Sequence, residues 1–339
     1  MIQSLYKYVS RGSRGILVAS SLVLASAALI VLPAKVFGVE ETPEIKSALE
    51  KLKKQDYVAA FQVLGPLEKS SEDSSVLYHL ALMYENGEGV QSDASHAAKL
   101  YERAAKLGSQ KAKFNFAMMQ LDGTGTKRDV TSAVKSLDEL RGQKFAAAQY
   151  ILGILYSRGK EVKLDEKEAA QCFSAAAAEG YAPAQFHLAL MYADGTGIAK
   201  DPAKAANMLR PLAESGMPQA QYNLGLLFRD GEGVTKDTKQ AAEWFRRAAL
   251  QGMPEAAYSF ARLLQKGDGV TKDDNEAFVW MTKAARSEYP KAQYVLAQMY
   301  IDGKGTTVDK TKAIEFLKRA SAQGYTQAAT QLKELGNNN

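Results

Sequence analysis

A glycine returns every 36 residues: Gly87, Gly123, Gly159, Gly195, Gly231, Gly267 and Gly303 hold one interval with no insertion. The same step carries an aspartate through Asp93, Asp129, Asp165, Asp201, Asp237, Asp273 and Asp309. An aromatic residue follows it at Tyr78, Phe114, Tyr150, Phe186, Tyr222, Tyr258 and Tyr294, and an alanine at Ala97, Ala133, Ala169, Ala205, Ala241, Ala277 and Ala313. Composition bias does not put four unrelated residue types in one phase. The chain therefore contains seven copies of one structural unit, each of which must bury its apolar side against its neighbours.

Each copy reads as two helices. In the fifth, Ala220, Leu224, Leu227 and Phe228 recur at spacings of three and four, giving an apolar stripe along a first helix that ends at Asp230. Gly231 and Gly233 then supply a left-handed cap and a tight turn. Asp237 caps the second helix by accepting hydrogen bonds from its unpaired first-turn amides, and in the fourth copy Pro202 after Asp201 marks the first helical residue. The second helix of the fifth copy runs through Ala241, Trp244, Phe245, Ala248 and Ala249, where small alanines let helices approach closely. No segment shows sustained two-residue alternation or a βαβ rhythm, so the expected fold class is all-α.

The unit Ala-x-Tyr-x-Leu-Gly-x-x-Phe/Tyr-x-x-Gly-x-Gly-Val-x-x-Asp-x-x-x-Ala-x-x-Trp/Phe-x-x-x-Ala-Ala-x-x-Gly is similar to the Sel1-like repeat, a relative of the tetratricopeptide repeat. The resemblance covers 75–327 and is best in the fifth copy. It implies a right-handed superhelical α-solenoid of seven 36-residue helix-turn-helix repeats that acts as an adaptor. Such adaptors include envelope or signalling regulators, host-interaction factors and partners of membrane-protein degradation complexes. Some secreted members carry paired cysteines in each hairpin and have been assigned β-lactam chemistry; this chain lacks those cysteines. It also departs at Glu161, which replaces a second loop glycine, and at Lys144 and Glu288, which replace the glycine after the second helix. Local bends or looser joints are expected there.

Outside the repeats, 1–38 reads as a signal peptide or membrane anchor, 39–74 as an N-terminal helical cap, and 328–339 as a C-terminal capping helix and tail. Lys7, Arg11 and Arg14 precede an uncharged run from Gly15 to Leu32, closed by Pro33. Val36 and Gly38 suit a cut before Val39, and retention as a tether through 15–32 fits equally. Either way the remainder is expected to be exported, periplasmic or secreted, and to meet a membrane only through that segment. From Val39 onward the chain has 39 basic and 38 acidic residues, too even a balance for a nucleic-acid-binding surface.

Signals for catalysis are missing. Histidines number three, His79, His96 and His187, and no two of them stand at ligand spacing. The Gly-x-Gly loops follow no strand and lack the Lys-Ser/Thr of a phosphate cradle. Cys172 cannot pair within the chain, and its repeat equivalents Leu100, Met208, Trp244, Trp280 and Phe316 mark a core position. The recurring aspartates read as caps. No cofactor, metal or catalytic residue is expected.

Function should then lie in a groove lined by the first helices. Positions that vary between copies within the fixed frame are the reading surface: His79, Asn115, His187 and Asn223 at one level, with Leu226, Arg262 and Gln298 at another. Lys266 belongs to a third level beside the turns. Tyr222, Tyr258 and Tyr294 are expected mainly in the core between hairpins, with a ring edge at the groove by analogy with tetratricopeptide grooves. The partner is expected to be a protein. The alternative is an envelope enzyme or cell-wall-binding protein acting on peptidoglycan or β-lactam material.

Overall fold

The computed structural model describes residues 42–337. The leader at 1–38, with its apolar run at 15–32 and the cut before Val39, lies outside the described residues. Among the described residues there are helices and no strand, and no helix is long and apolar enough to cross a membrane. These residues form two compact units, one ending at Ala184 and the other beginning at Gln185.

The first unit opens with α1 (Pro43–Lys53) and α2 (Tyr57–Leu64). Three hairpins follow: α3 (Ser74–Asn86) with α4 (Ala94–Lys106), α5 (Gln110–Asp122) with α6 (Val130–Gly142), and α7 (Ala146–Arg158) with α8 (Glu166–Ala178). The unit boundary falls in α9 (Ala182–Asp194), most of which pairs with α10 (Pro202–Glu214) in the second unit. There α11 (Pro218–Asp230) pairs with α12 (Thr238–Leu250), α13 (Pro254–Lys266) with α14 (Asp274–Arg286), and α15 (Pro290–Asp302) with α16 (Lys310–Ala322). The last helix is α17 (Thr326–Asn337). The seven hairpins from α3/α4 to α15/α16 are repeats 1 to 7; helix A is the first helix of each and helix B the second.

One aspartate joins the two helices of each hairpin. The Asp237 carboxylate accepts from the Gln240 amide at 3.0 Å, while the Asp237 amide donates to the Phe228 carbonyl at 2.9 Å. The first bond caps helix B and the second closes the loop onto helix A, so two orphan groups are satisfied by one residue. Asp93 does the same with His96 and Tyr84, and Asp201 with Lys204 and Tyr192. The amide bonds hold the Asp237 carboxyl below the usual aspartate range.

The second loop glycine joins one hairpin to the one before it. At Gly233 an added Cβ would lie 2.2 Å from the Pro202 carbonyl carbon, and at Gly305 1.9 Å from the Asp274 carbonyl oxygen. These two loops thus rest directly on the start of the preceding helix B, with φ near +70° as well (73° at Gly233), and only glycine meets both demands. Gly89 makes the same approach to Tyr57, the first residue of α2. The α1–α2 pair therefore stands where a preceding hairpin would, sharing one core of Ile45, Ala48, Ala60 and Leu64 with Leu77 and Leu80 of α3.

At Lys144 and Glu288, where local bends or looser joints are expected, the backbone takes the conformation that glycine has in other copies. Both adopt φ of 58°, in the same left-handed region as Gly216 and Gly252. The backbone shape is retained and the cost falls on the residue itself, about 1 kcal/mol for a side chain in that region.

Buried glutamines close further joints in the second unit. Gln221 of α11 donates to the Ala213 carbonyl at 3.0 Å, and its own Oε1 accepts from Gln251 at 2.9 Å. Gln293 of α15 repeats this with Ala285 at 3.2 Å and Gln323 at 2.9 Å.

Candidate partner-binding cleft

The residues expected on the reading surface divide sharply by burial. In the first unit His79 and Asn115 are half-buried, and His79 Nδ1 lies 2.7 Å from the Ser75 carbonyl of its own helix. In the second unit His187, Tyr222, Asn223 and Leu226 are all buried. This corrects the placement of His187, Asn223 and Leu226 on an open groove, while Tyr222 lies in the core: His187 and the run from Ala220 to Phe228 pack inside the stack. Burial lowers the His187 imidazole to about 4 and pushes the Tyr222 phenol up, in both cases because the charged form would lose its water. Asn223 donates to the Gln219 carbonyl at 2.8 Å, so its amide serves its own helix.

Four of the remaining residues come together. Tyr258 and Arg262 of α13 face Tyr294 and Gln298 of α15 across a cleft of about 450 Å³, which is completed by Tyr325 and Gln327 at the start of α17. Residues 258 and 262 are one helical turn apart, as are 294 and 298, so each helix presents an aromatic residue followed by a long polar one. A second hollow of about 310 Å³ adjoins the first: Tyr258 and Arg262 line both, and Lys266 lines only the second.

The walls are set by aromatic pairs that link successive helices. Tyr258 meets the ring of Tyr289 edge-on at 5.5 Å, and Tyr294 meets Tyr325 at 5.3 Å. Burial raises the Tyr325 phenol, with the neighbouring Tyr258 and Tyr294 adding to the shift. Gln298 donates its amide to Gln331 of α17, which steadies one edge. Arg262 donates to the side-chain Oε1 of Gln265 at 3.1 Å.

Tyr289, Tyr325 and Gln327 were missed in the sequence. Tyr289 and Tyr325 precede a helix A rather than lying within one, and the only available signal was that they too stand 36 residues apart. Among the described residues no three His, Cys, Asp or Glu side chains gather as a metal site. Cys172 is buried, its thiol raised by burial although Arg141 Nη1 lies 3.7 Å away.

Seven segments match the Sel1 repeat: 74–109, 110–135, 146–181, 182–217, 218–253, 254–289 and 290–325. Among solved structures the chain is similar to a protective antigen of uropathogenic Escherichia coli strains that displays an SLR fold. The identity is 28% and the TM-score 0.75, over 86% of this chain and 64% of that one, so the chain spans less than two thirds of that protein. It is also similar to a Sel1 repeat protein from Oxalobacter formigenes, at 28% identity and a TM-score of 0.68, over 91% of this chain and 98% of that one. No curated protein matches.

Proposed function

Because the chain belongs to the Sel1 repeat family, whose members are generally protein–protein interaction scaffolds, we propose that it binds a partner protein in the cleft between α13 and α15. The observation that carries this reading is the convergence of Tyr258, Arg262, Tyr294 and Gln298 on one open cleft, while the equivalent residues Tyr222 and Leu226 are buried. An aromatic and arginine surface with neighbouring amides is the composition that dominates binding energy at protein interfaces. The protein acts by holding its partner, without turnover.

The setting we propose is outside the cytoplasm, in envelope signalling or host contact. Its support is the basic, then apolar, composition of 1–38. The description of one structural relative as a protective antigen accords with it. A reporter active only in the cytoplasm, fused after Asn339, should stay silent; activity would refute export.

The cleft is tested by charge reversal. Arg262→Glu combined with Lys266→Glu should weaken partner binding by about 1 kcal/mol or more while thermal unfolding stays unchanged. Reversal of the exposed Lys204 and Glu243 on helices B should leave affinity as it was. The opposite pair of results would move the site to the helix B face.

A further inference from the structure

The larger cleft contains five charged side chains, and four of them neutralise one another. Lys272 Nζ lies 3.5 Å from Asp274, and Lys304 Nζ lies 3.3 Å from Asp302. The fifth is Arg262, half-buried, which donates a hydrogen bond to the neutral side-chain amide of Gln265. It makes no ion pair among the described residues. In the adjoining hollow Arg229 is held by both oxygens of Asp230, at 2.8 and 2.6 Å, and exposed Lys266 shares the space with Asp268. The cations of this surface that make no ion pair among the described residues are thus exposed Lys266 and half-buried Arg262, and of the two only Arg262 lines both hollows. A guanidinium carries five N–H donors in a planar fork, and one bond to Gln265 leaves most of them available to a ligand.

We propose that the occupant is an extended segment of a partner protein bearing an aspartate or glutamate, whose carboxylate seats on the Arg262 guanidinium. The proposal rests on the reading of this cleft as the partner site. A carboxylate matches the fork with two parallel charge-assisted bonds, and partial burial of Arg262 strengthens them. An internal acidic side chain suits the place better than a chain terminus, because Arg262 lines both hollows and a segment laid along them continues on either side of it. The phenol groups of Tyr258 and Tyr294 flank the same path and favour apolar or aromatic neighbours of the acid.

The test uses three pools of short fluorescent peptides of Leu, Tyr, Ser and Gly, titrated into the full chain by anisotropy. One pool is blocked at both ends with a central Glu; the second has Gln there; the third has the Gln and a free C-terminal carboxylate. The Glu pool should bind about tenfold or more tightly than the Gln pool, with an advantage that shrinks as salt rises. Arg262→Gln should abolish that advantage and Arg262→Lys should retain part of it, with thermal unfolding of both variants unchanged. Equal binding of the Glu and Gln pools, an advantage that survives Arg262→Gln, preference for the free carboxylate alone, or no binding by any pool would each overturn the proposal. If one of these occurs while charge reversal at Arg262 and Lys266 still weakens the natural partner, only the acidic occupant is lost. If charge reversal also has no effect, the cleft itself is lost.

Discussion

Repeat 3 and repeats 5 to 7 follow one backbone plan and use it in opposite ways. In repeat 3 the inner positions Ile151 and Ile154 are apolar and buried, yet the joints around them are incompletely bonded. Gln149 Oε1 is buried there without a hydrogen-bond partner, because the residue that should donate to it is Glu179, a carboxylate. Glu161 replaces the second loop glycine, its Oε2 is likewise unsatisfied, and its nearest cation, Arg128, stands 3.9 Å away. In repeats 5 and 7 the same joints are closed by Gly233 and Gly305 and by the Gln221–Gln251 and Gln293–Gln323 bonds. There the inner levels of repeats 6 and 7 carry Arg262 and Gln298 beside open space. Helix A of repeats 6 and 7 thus gives its inner positions to polar side chains, while repeat 3 fills the same positions with isoleucine.

The largest effect should come from breaking a tight joint. Gly233→Val forces a β-branched residue to φ of 73° and sets its Cβ 2.2 Å from the Pro202 backbone. The loss should be about 3 kcal/mol, combining left-handed strain with overpacking. Because neighbouring hairpins stabilise one another, it should appear in hydrogen exchange as local opening of repeats 4 and 5. If Gly233→Val unfolds no earlier than wild type, the loop does not act as the joint.

A reciprocal exchange should move a bond from one region to the other. Glu179→Gln gives Gln149 Oε1 its missing donor and should raise stability by about 1 kcal/mol in urea unfolding. Gln251→Glu removes the donor to Gln221 and should lower stability by about as much. Equal, negligible effects of both changes would show that the glutamine bonds do not distinguish the two regions.

The smallest effect separates two residues with the same strained backbone. Lys144→Gly should gain about 0.5 kcal/mol, since the side chain makes no hydrogen bond or ion pair among the described residues to offset its φ of 58°. Glu288→Gly should gain nothing or lose, because Glu288 pairs with Arg319 and accepts from Gln293 at 2.8 Å. Equal gains in thermal unfolding would mean that those contacts contribute nothing.

The sequence made the fold legible because a 36-residue period fixes helix ends, turns and packing faces together: the glycine, aspartate, aromatic and alanine positions each constrain the same hairpin. It made the site legible only in part. Variation by phase picked out Arg262 and Gln298, and the recurring aromatic level supplied Tyr258 and Tyr294, but the same variation also picked out His187, Asn223 and Leu226, which are buried. Periodicity places a residue on a helix face. Whether that face stays open depends on side-chain size and charge across to the next helix A, and on residues such as Tyr289 that lie outside the helix pattern.

The claim that the inner face of repeats 6 and 7 holds the partner is tested most directly by photocrosslinking in living cells. A photoreactive residue would replace Gln298 in one chain and exposed Glu243 on α12 in another. A discrete adduct from position 298, lost when Arg262→Glu is added, with none from 243, is the expected result. An adduct from 243 and none from 298 would contradict it.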